Sequence, residues 1–256
     1  MANHEHPIEI SEEAGVRNLH FGSDWIQGAM RIRRPFRLEL AYTREMMACL
    51  LLKQESEVDW PRRVLLIGLG TGSLAKFIYR NLPETKITIV EIDKRLVPIA
   101  QQHFSLPVDP QRMKLVIADG SEYINQAKGR YDAIFVDGFG PDGRAGPLDS
   151  PDFYIACRER LSQNGLMICN LLGRSRGFLA SIERIRRAFT QRALVFPSLD
   201  SGNAIAFAAA GQTVEITLDE MRKRAISLKT TMGLDFRPTI SRLEKAQTLK
   251  GGQLIL

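Results

Sequence analysis

Four apolar residues, Val64-Leu65-Leu66-Ile67, run straight into Gly68-Leu69-Gly70-Thr71-Gly72-Ser73, and helical spacing begins at once. An unbroken apolar run this short is the form of a parallel strand covered on both faces. The glycines let the backbone turn sharply and let a ligand approach main-chain N–H groups at the positive end of the next helix. The chain is thereby committed to a strand, turn and helix unit, and the residues beyond Leu82 repeat that unit. Strands are read at 64–67, 87–92, 114–118 and 133–136, with helices at 73–82, 95–104 and 121–127. Helix 153–161, strand 166–171 and helix 179–189 continue the order, and 193–196 and 203–209 read as two late strands. This order predicts an α/β fold, a doubly wound, mostly parallel, Rossmann-like open sheet with right-handed crossovers.

The flanks read differently. Residues 1–41 hold short alternating pieces separated by Gly15, Gly22-Ser23-Asp24 and Gly28, which suggests a small antiparallel β meander. Residues 42–60, with Met46, Met47, Leu50 and Leu51 at helical spacing, read as a connecting helix ending before Trp60-Pro61. The core domain is then 61–216, and 217–256 reads as an amphipathic helix with a basic, poorly periodic tail. Apolar runs fall well short of the about 20 residues a membrane-spanning helix needs. The start of the chain lacks the basic and apolar parts of a secretion signal, so a cytoplasmic protein is expected. Cys49, Cys157 and Cys169 sit in apolar segments without Cys-x-x-Cys spacing, which predicts buried thiols. His4, His6, His20 and His103 show no paired zinc spacing, although His4 and His6 could loosely chelate a metal; no metal site is expected.

Chemistry concentrates at the ends of the predicted strands. The dinucleotide fingerprint needs a third glycine where Ser73 stands, so Gly68, Gly70, Thr71 and Gly72 fit a Gly-x-Gly-x-Gly sulfonium-nucleoside loop better than a pyrophosphate cradle. Glu91, in Val90-Glu91-Ile92-Asp93 after the second strand, is placed to accept both ribose hydroxyls. Asp119-Gly120 follows the third strand; the Asp119 carboxylate could accept the adenine amine, and reads equally as the N-cap of a helix starting at Ser121. Asp137 ends the fourth strand before a glycine- and proline-rich loop running to Pro147, where it can accept a proton from an attacking amine; turn-capping is the alternative. Asp132 reads as a cap at the strand entrance and Asp142 as part of a solvated loop.

From about Gly15 to Phe207 these features together resemble the spermidine synthases, or polyamine aminopropyltransferases, which share the class I methyltransferase-like fold. The resemblance covers Gln27, Tyr42-x-x-Glu45-Met46-Met47, the glycine loop, Val90-Glu91-Ile92-Asp93, Asp119-Gly120, Tyr131-Asp132 with Asp137, Gly146-Pro147-Leu148, Phe153-Tyr154 and Pro197 through Ser201-Gly202. It implies that Glu91 binds ribose, Asp119 and Gly120 the adenine end, and Gln27 the nucleoside. It also implies that Asp137 activates the amine and Tyr42 lines the amine pocket. The donor would be decarboxylated S-adenosylmethionine, the by-product methylthioadenosine, and the assembly a homodimer. Two family acids are replaced: one holding the donor ammonium by Thr71, and a second shortly after Asp137 by Gly140. An acid about 6 Å from an ammonium contributes roughly 2.8 kcal/mol at an effective dielectric near 20, about a hundredfold in binding.

Thirty-five basic against twenty-nine acidic side chains leave +6, which permits an anionic partner without requiring one. Arg31, Arg33, Arg34 and Arg37 would repel a polycation if they faced the pocket, and a solvated edge strand accounts for them equally. Arg184, Arg186 and Arg187 read as one solvated helix face rather than a nucleic-acid track. Aminopropyl transfer to a small-molecule amine is therefore the leading expectation. S-adenosylmethionine-dependent methyl transfer is the alternative, although Leu66 stands where many methyltransferases carry an acid. A non-catalytic nucleoside-binding protein of the same fold is the third reading.

Overall fold

A computed structural model describes residues 6–52, 59–140, 142–199, 202–246 and 249–256. His4, Pro141 and Ser201, singled out in the sequence, lie outside the described residues, as does the predicted end of the connecting helix.

A seven-stranded sheet carries the protein. Its strands are β4 (Arg63–Ile67), β5 (Lys86–Glu91), β6 (Met113–Ile117), β7 (Tyr131–Val136), β8 (Leu161–Leu172), β9 (Ala193–Pro197) and β10 (Asn203–Ala209), in the spatial order β6-β5-β4-β7-β8-β10-β9. The pairs from β6 through β8 are parallel, and β10 runs antiparallel to both neighbours. Helices α2 (Ser73–Asn81), α3 (Leu96–Phe104), α4 (Gly120–Gln126), α5 (Pro151–Arg160) and α6 (Phe178–Ala188) make the crossovers. Val64, Leu66, Ile87, Ile89 and Phe135 enter one apolar cluster while Leu65, Ile67, Val90, Ile134 and Val136 enter another, so both faces of the central strands are buried. Two-sided burial is why these strands read as continuous apolar runs. From β4 the chain winds first toward β6 and then returns to β7, which makes the carboxyl ends of β4 and β7 the topological switch point.

The amino-terminal meander is a three-stranded antiparallel sheet of β1 (Glu9–Glu13), β2 (Val16–His20) and β3 (Ile26–Arg31). The single long connecting helix expected from 42 onward is instead α1 (Ala41–Met46) followed by a 3-10 segment, Met47–Leu52, with all six residues buried. Burial on every side removes the polar stripe by which spacing alone distinguishes helix types. Strand β8 begins at Leu161, five residues before its predicted start. Ser162-Gln163-Asn164-Gly165 has turn composition, and a register shift lets Leu161 still pair with Tyr131. The poorly periodic tail is folded. Strand β11 (Glu215–Thr217), helices α7 (Leu218–Met232) and α8 (Arg237–Lys245), and strands β12 (Leu249–Lys250) and β13 (Gln253–Ile255) build a second small sheet, ordered β11-β13-β12. Leu234, Phe236, Ile240, Leu243, Leu254 and Leu256 are buried there, in such short elements that no single period emerges. Half-buried Arg242 of α8 pairs with buried Glu45 of α1, and Arg224 donates to the Leu51 carbonyl, which fastens this segment behind α1.

All three cysteines are buried, free thiols. Among the described residues no helix is long and apolar enough to cross a membrane, and no group of three or more His, Cys, Asp or Glu side chains is placed to hold a metal ion.

Candidate active site

The switch point opens into a crevice of about 560 Å3 at the carboxyl edge of the sheet. Its floor is the glycine loop. Gly68 has φ of +100°, and a Cβ there would lie 2.2 Å from the Asp137 carbonyl oxygen, so the ends of β4 and β7 can sit side by side only with glycine at this position. The strand ends are tied by Gly68 N–H to the Val90 carbonyl and Asp137 N–H to the Ile67 carbonyl, both at 2.9 Å. Gly70 and Thr71 line the crevice; Gly72 does not, and its left-handed turn instead faces Leu106 at the start of α2. Thr71 is buried against Gly28, and its hydroxyl shares a 2.8 Å hydrogen bond with Ser73, which donates to the Ala29 carbonyl. These contacts dock β3 on the loop and bring half-buried Gln27 to the crevice wall.

Glu91 stands at the end of β5 and is 6% exposed. Its Oε2 accepts the Leu69 N–H and its Oε1 the Asp93 N–H, each at 2.8 Å, which fixes the carboxylate plane and leaves each oxygen a further lone pair. Burial raises its pKa above the usual range, and the backbone bonds oppose that rise. Asp93, also lining the crevice, is clasped by Arg95, with His6 Nε2 3.8 Å away. His6 in turn packs on Phe21, bringing the amino-terminal segment over this end of the crevice. Asp119 realises its capping alternative: Oδ1 accepts the Ser121 N–H and hydroxyl and the Glu122 N–H. Burial acts to raise its pKa, but the bonds from Ser121 and Glu122 outweigh it and the carboxyl is held below its ordinary value. The residue still lines the crevice, so one oxygen caps α4 while the other is left for a ligand. Gly120 beside it has no room for a side chain, since a Cβ would meet Ile67 at 2.4 Å.

Across the crevice Asp137 follows β7 directly. Its Oδ2 accepts the Tyr42 hydroxyl of α1 at 3.3 Å, and its Oδ1 accepts the Asn170 amide of β8 at 2.8 Å. Asn203, first residue of β10, donates to Asn170 Oδ1 at 2.7 Å. Burial raises the Asp137 pKa, and the Asn170 and Tyr42 bonds pull it back; burial and the Asp137 charge hold Tyr42 neutral. Trp25 and Leu172 pack against Gly143 and line this end with Phe139 and Arg144. Arg33, Arg34 and Arg37 are exposed, Arg31 pairs with Glu39, and none of the four lines the crevice. Asp132 caps the start of β4 by accepting the Arg62 and Arg63 N–H groups, and Asp142 is exposed beside Arg144. On α6, Arg184 pairs with Asp149 and Arg187 with Glu183.

Sequence reading missed Asn170, Asn203, His6 and Trp25. A polar residue at 170 inside Leu166–Leu172 was the available signal, since an amide in an otherwise apolar central strand needs a partner.

A mostly parallel sheet with this strand order, a glycine turn at its switch point and acids at neighbouring strand ends define the methyltransferase-like class of α/β proteins. Residues 39–191 match the family described as "Spermine/spermidine synthase domain". The chain is 34% identical to a polyamine aminopropyltransferase of Neisseria meningitidis, over 95% of this chain and 91% of that one. It is 35% identical to the polyamine aminopropyltransferase of Chromobacterium violaceum, over 97% and 94%. In structure it resembles a probable spermidine synthase from Corynebacterium glutamicum (TM-score 0.70, 18% identity, 96% of this chain and 91% of that one). Human methyltransferase-like protein 13 in complex with SAH is also similar (TM-score 0.67, 25% identity, 76% and 93%). The chain belongs to the spermine/spermidine synthase family of transferases.

Proposed function

We propose that this protein transfers an aminopropyl group from decarboxylated S-adenosylmethionine to a small-molecule amine. The observation that carries this reading is the placement of Asp137, held by Tyr42 and Asn170, in the same crevice as Glu91 and Asp119. Glu91 takes the ribose hydroxyls on its remaining lone pairs, and the free oxygen of Asp119 takes the adenine amine. Gln27 and the glycine-loop residues Gly68, Gly70 and Thr71 complete the nucleoside wall, and Tyr42 borders the amine. The amine nitrogen bonds to the carbon beside sulfur, the carbon–sulfur bond breaks with its electrons remaining on sulfur, and methylthioadenosine leaves as a neutral thioether. The proton released by the amine passes to Asp137. Since the leaving group is already good, positioning and removal of one proton are what the protein supplies.

Methyl transfer is the second reading, favoured by the neutral Thr71 in the glycine loop and by the likeness to a methyltransferase-like protein. Calorimetric titration with S-adenosylmethionine, its decarboxylated form and methylthioadenosine separates the two. Preference for the decarboxylated donor, with an aminopropylated amine found by mass spectrometry, is the expected result. Preference for the carboxylated donor would replace it by methyl transfer, and product binding without turnover by a binding role.

A further inference from the structure

Asn170 is 4% exposed, in an otherwise apolar stretch of β8, and both the NH2 and the oxygen of its amide are hydrogen-bonded. An ionised carboxylate only accepts, so the group that Asn170 turns to Asp137 at 2.8 Å is its NH2. Its oxygen then faces Asn203, whose NH2 donates at 2.7 Å. The carboxylate thus dictates the orientation of both amides. The position of Asn203 is fixed independently by the backbone. Gly173 N–H donates to the Gly202 carbonyl at 3.0 Å, Ser198 N–H donates to the Asn203 carbonyl at 2.8 Å, and Asn203 pairs opposite Leu172 on β8. Asn170 lies two residues before Leu172 on the same face, so the two amides are diagonal neighbours across the strands.

We propose that Asn203 and Asn170 form a one-directional amide relay that orients Asp137 and favours its ionised state, which makes both of them positioning residues for proton acceptance. The proposal rests on the reading of Asp137 as the proton acceptor. Without the Asn203 donor, Asn170 is free to turn its oxygen toward Asp137, an arrangement compatible only with a protonated carboxyl. Burial already favours that protonated form, and the relay opposes it together with the Tyr42 hydrogen bond. Other titratable groups around Asp137 are few. Tyr42 faces it from α1 and Cys169 from β8, both held neutral by burial, and Arg144 lines the crevice from the loop after β7. β4 presents Ile67 and Gly68, and β10 presents Asn203, none of which titrates.

Carbon-13 labelling of aspartate carboxyls, with the Asp137 signal assigned by its loss in Asp137→Asn, reads the titration of this group without turnover. In Asn203→Ala the midpoint is expected to rise by about one pH unit. The acid limb of kcat/KM should move up equally, with methylthioadenosine affinity unchanged. Asn203→Ser keeps a shorter donor and is expected between wild type and Ala; it carries the test alone if the alanine variant does not fold. A midpoint that stays at the wild-type value overturns the relay. A shifted midpoint in a protein that transfers no aminopropyl group sustains the relay and removes only the proposed activity.

Discussion

Glu91→Gln tests how the ribose acid is held. Each carboxylate oxygen of Glu91 accepts one backbone N–H at 2.8 Å, from Leu69 and from Asp93. A carboxamide keeps one acceptor oxygen and turns an NH2 group toward the other N–H, so one of the two donors loses its partner inside the protein. An unpaired buried donor costs about 1–3 kcal/mol. On the ligand side, one of two hydrogen bonds to a charged acceptor is lost, at about 1.5–3 kcal/mol. Methylthioadenosine affinity should therefore fall by about 10- to 100-fold. The melting temperature should fall by less than the lost bond alone implies, because burial makes the ionised glutamate costly in the empty protein and glutamine relieves that cost. The pH dependence has a definite sign. With its folded pKa raised, Glu91 stabilises the empty protein most below the ordinary glutamate range, and that contribution is lost as pH rises through the folded value. Ligand binding runs the other way, because the ionised acid is the better acceptor. Affinity should climb with pH just above the ordinary glutamate range in wild type and stay flat there in Glu91→Gln. Calorimetry across this interval, with thermal melts alongside, reads both effects. A variant that binds methylthioadenosine within about twofold of wild type, with the same pH dependence, would remove Glu91 from ribose recognition.

Asp137→Asn should lower aminopropyl transfer by about 10²- to 10⁴-fold while leaving methylthioadenosine affinity nearly intact, and unchanged turnover would end the base assignment. Lys76, 1% exposed on α2, donates to the Phe104 carbonyl at 2.6 Å, and burial lowers its pKa to about 7. Between that value and an unfolded lysine at about 10.4 the unfolded chain binds the extra proton, so stability should rise with pH. Urea titrations at several pH values should show this slope flattened in Lys76→Met; an equal slope would place the lysine's pKa at its ordinary value. Arg242→Ala removes one ion-pair partner of Glu45, whose side chain is 5% exposed, and should cost more than about 1 kcal/mol in denaturant unfolding. A loss below about 1 kcal/mol would put the pair among solvent-screened ones.

Legibility followed the range of the interaction. β4, β5 and β7 were readable within a residue or two because burial on both faces writes a largely apolar run into a few consecutive positions. Residues 161–165 and the short elements after Met232 were not, because their strand or helix character comes from partners far along the chain. The same division runs through the site. Glu91, Asp119 and Asp137 each end a strand that leads to one sheet edge, so their convergence follows from chain order and right-handed crossovers.

From the sequence alone came the sheet, its glycine turn and the three acids brought to one edge, because those depend on local periodicity and on the sense in which strand and helix units wind. Only the tertiary structure decided what surrounds those acids. Placing β10 antiparallel beside β8 brings Asn203 to Asn170 and so to Asp137; docking β3 on the glycine loop brings Gln27 to the crevice; folding the last forty residues behind α1 puts Arg242 on Glu45. Each is a contact between segments far apart in the chain, fixed by which packed arrangement buries the most apolar surface while leaving the fewest polar groups unpaired, a property of the whole molecule that no short stretch of residues encodes.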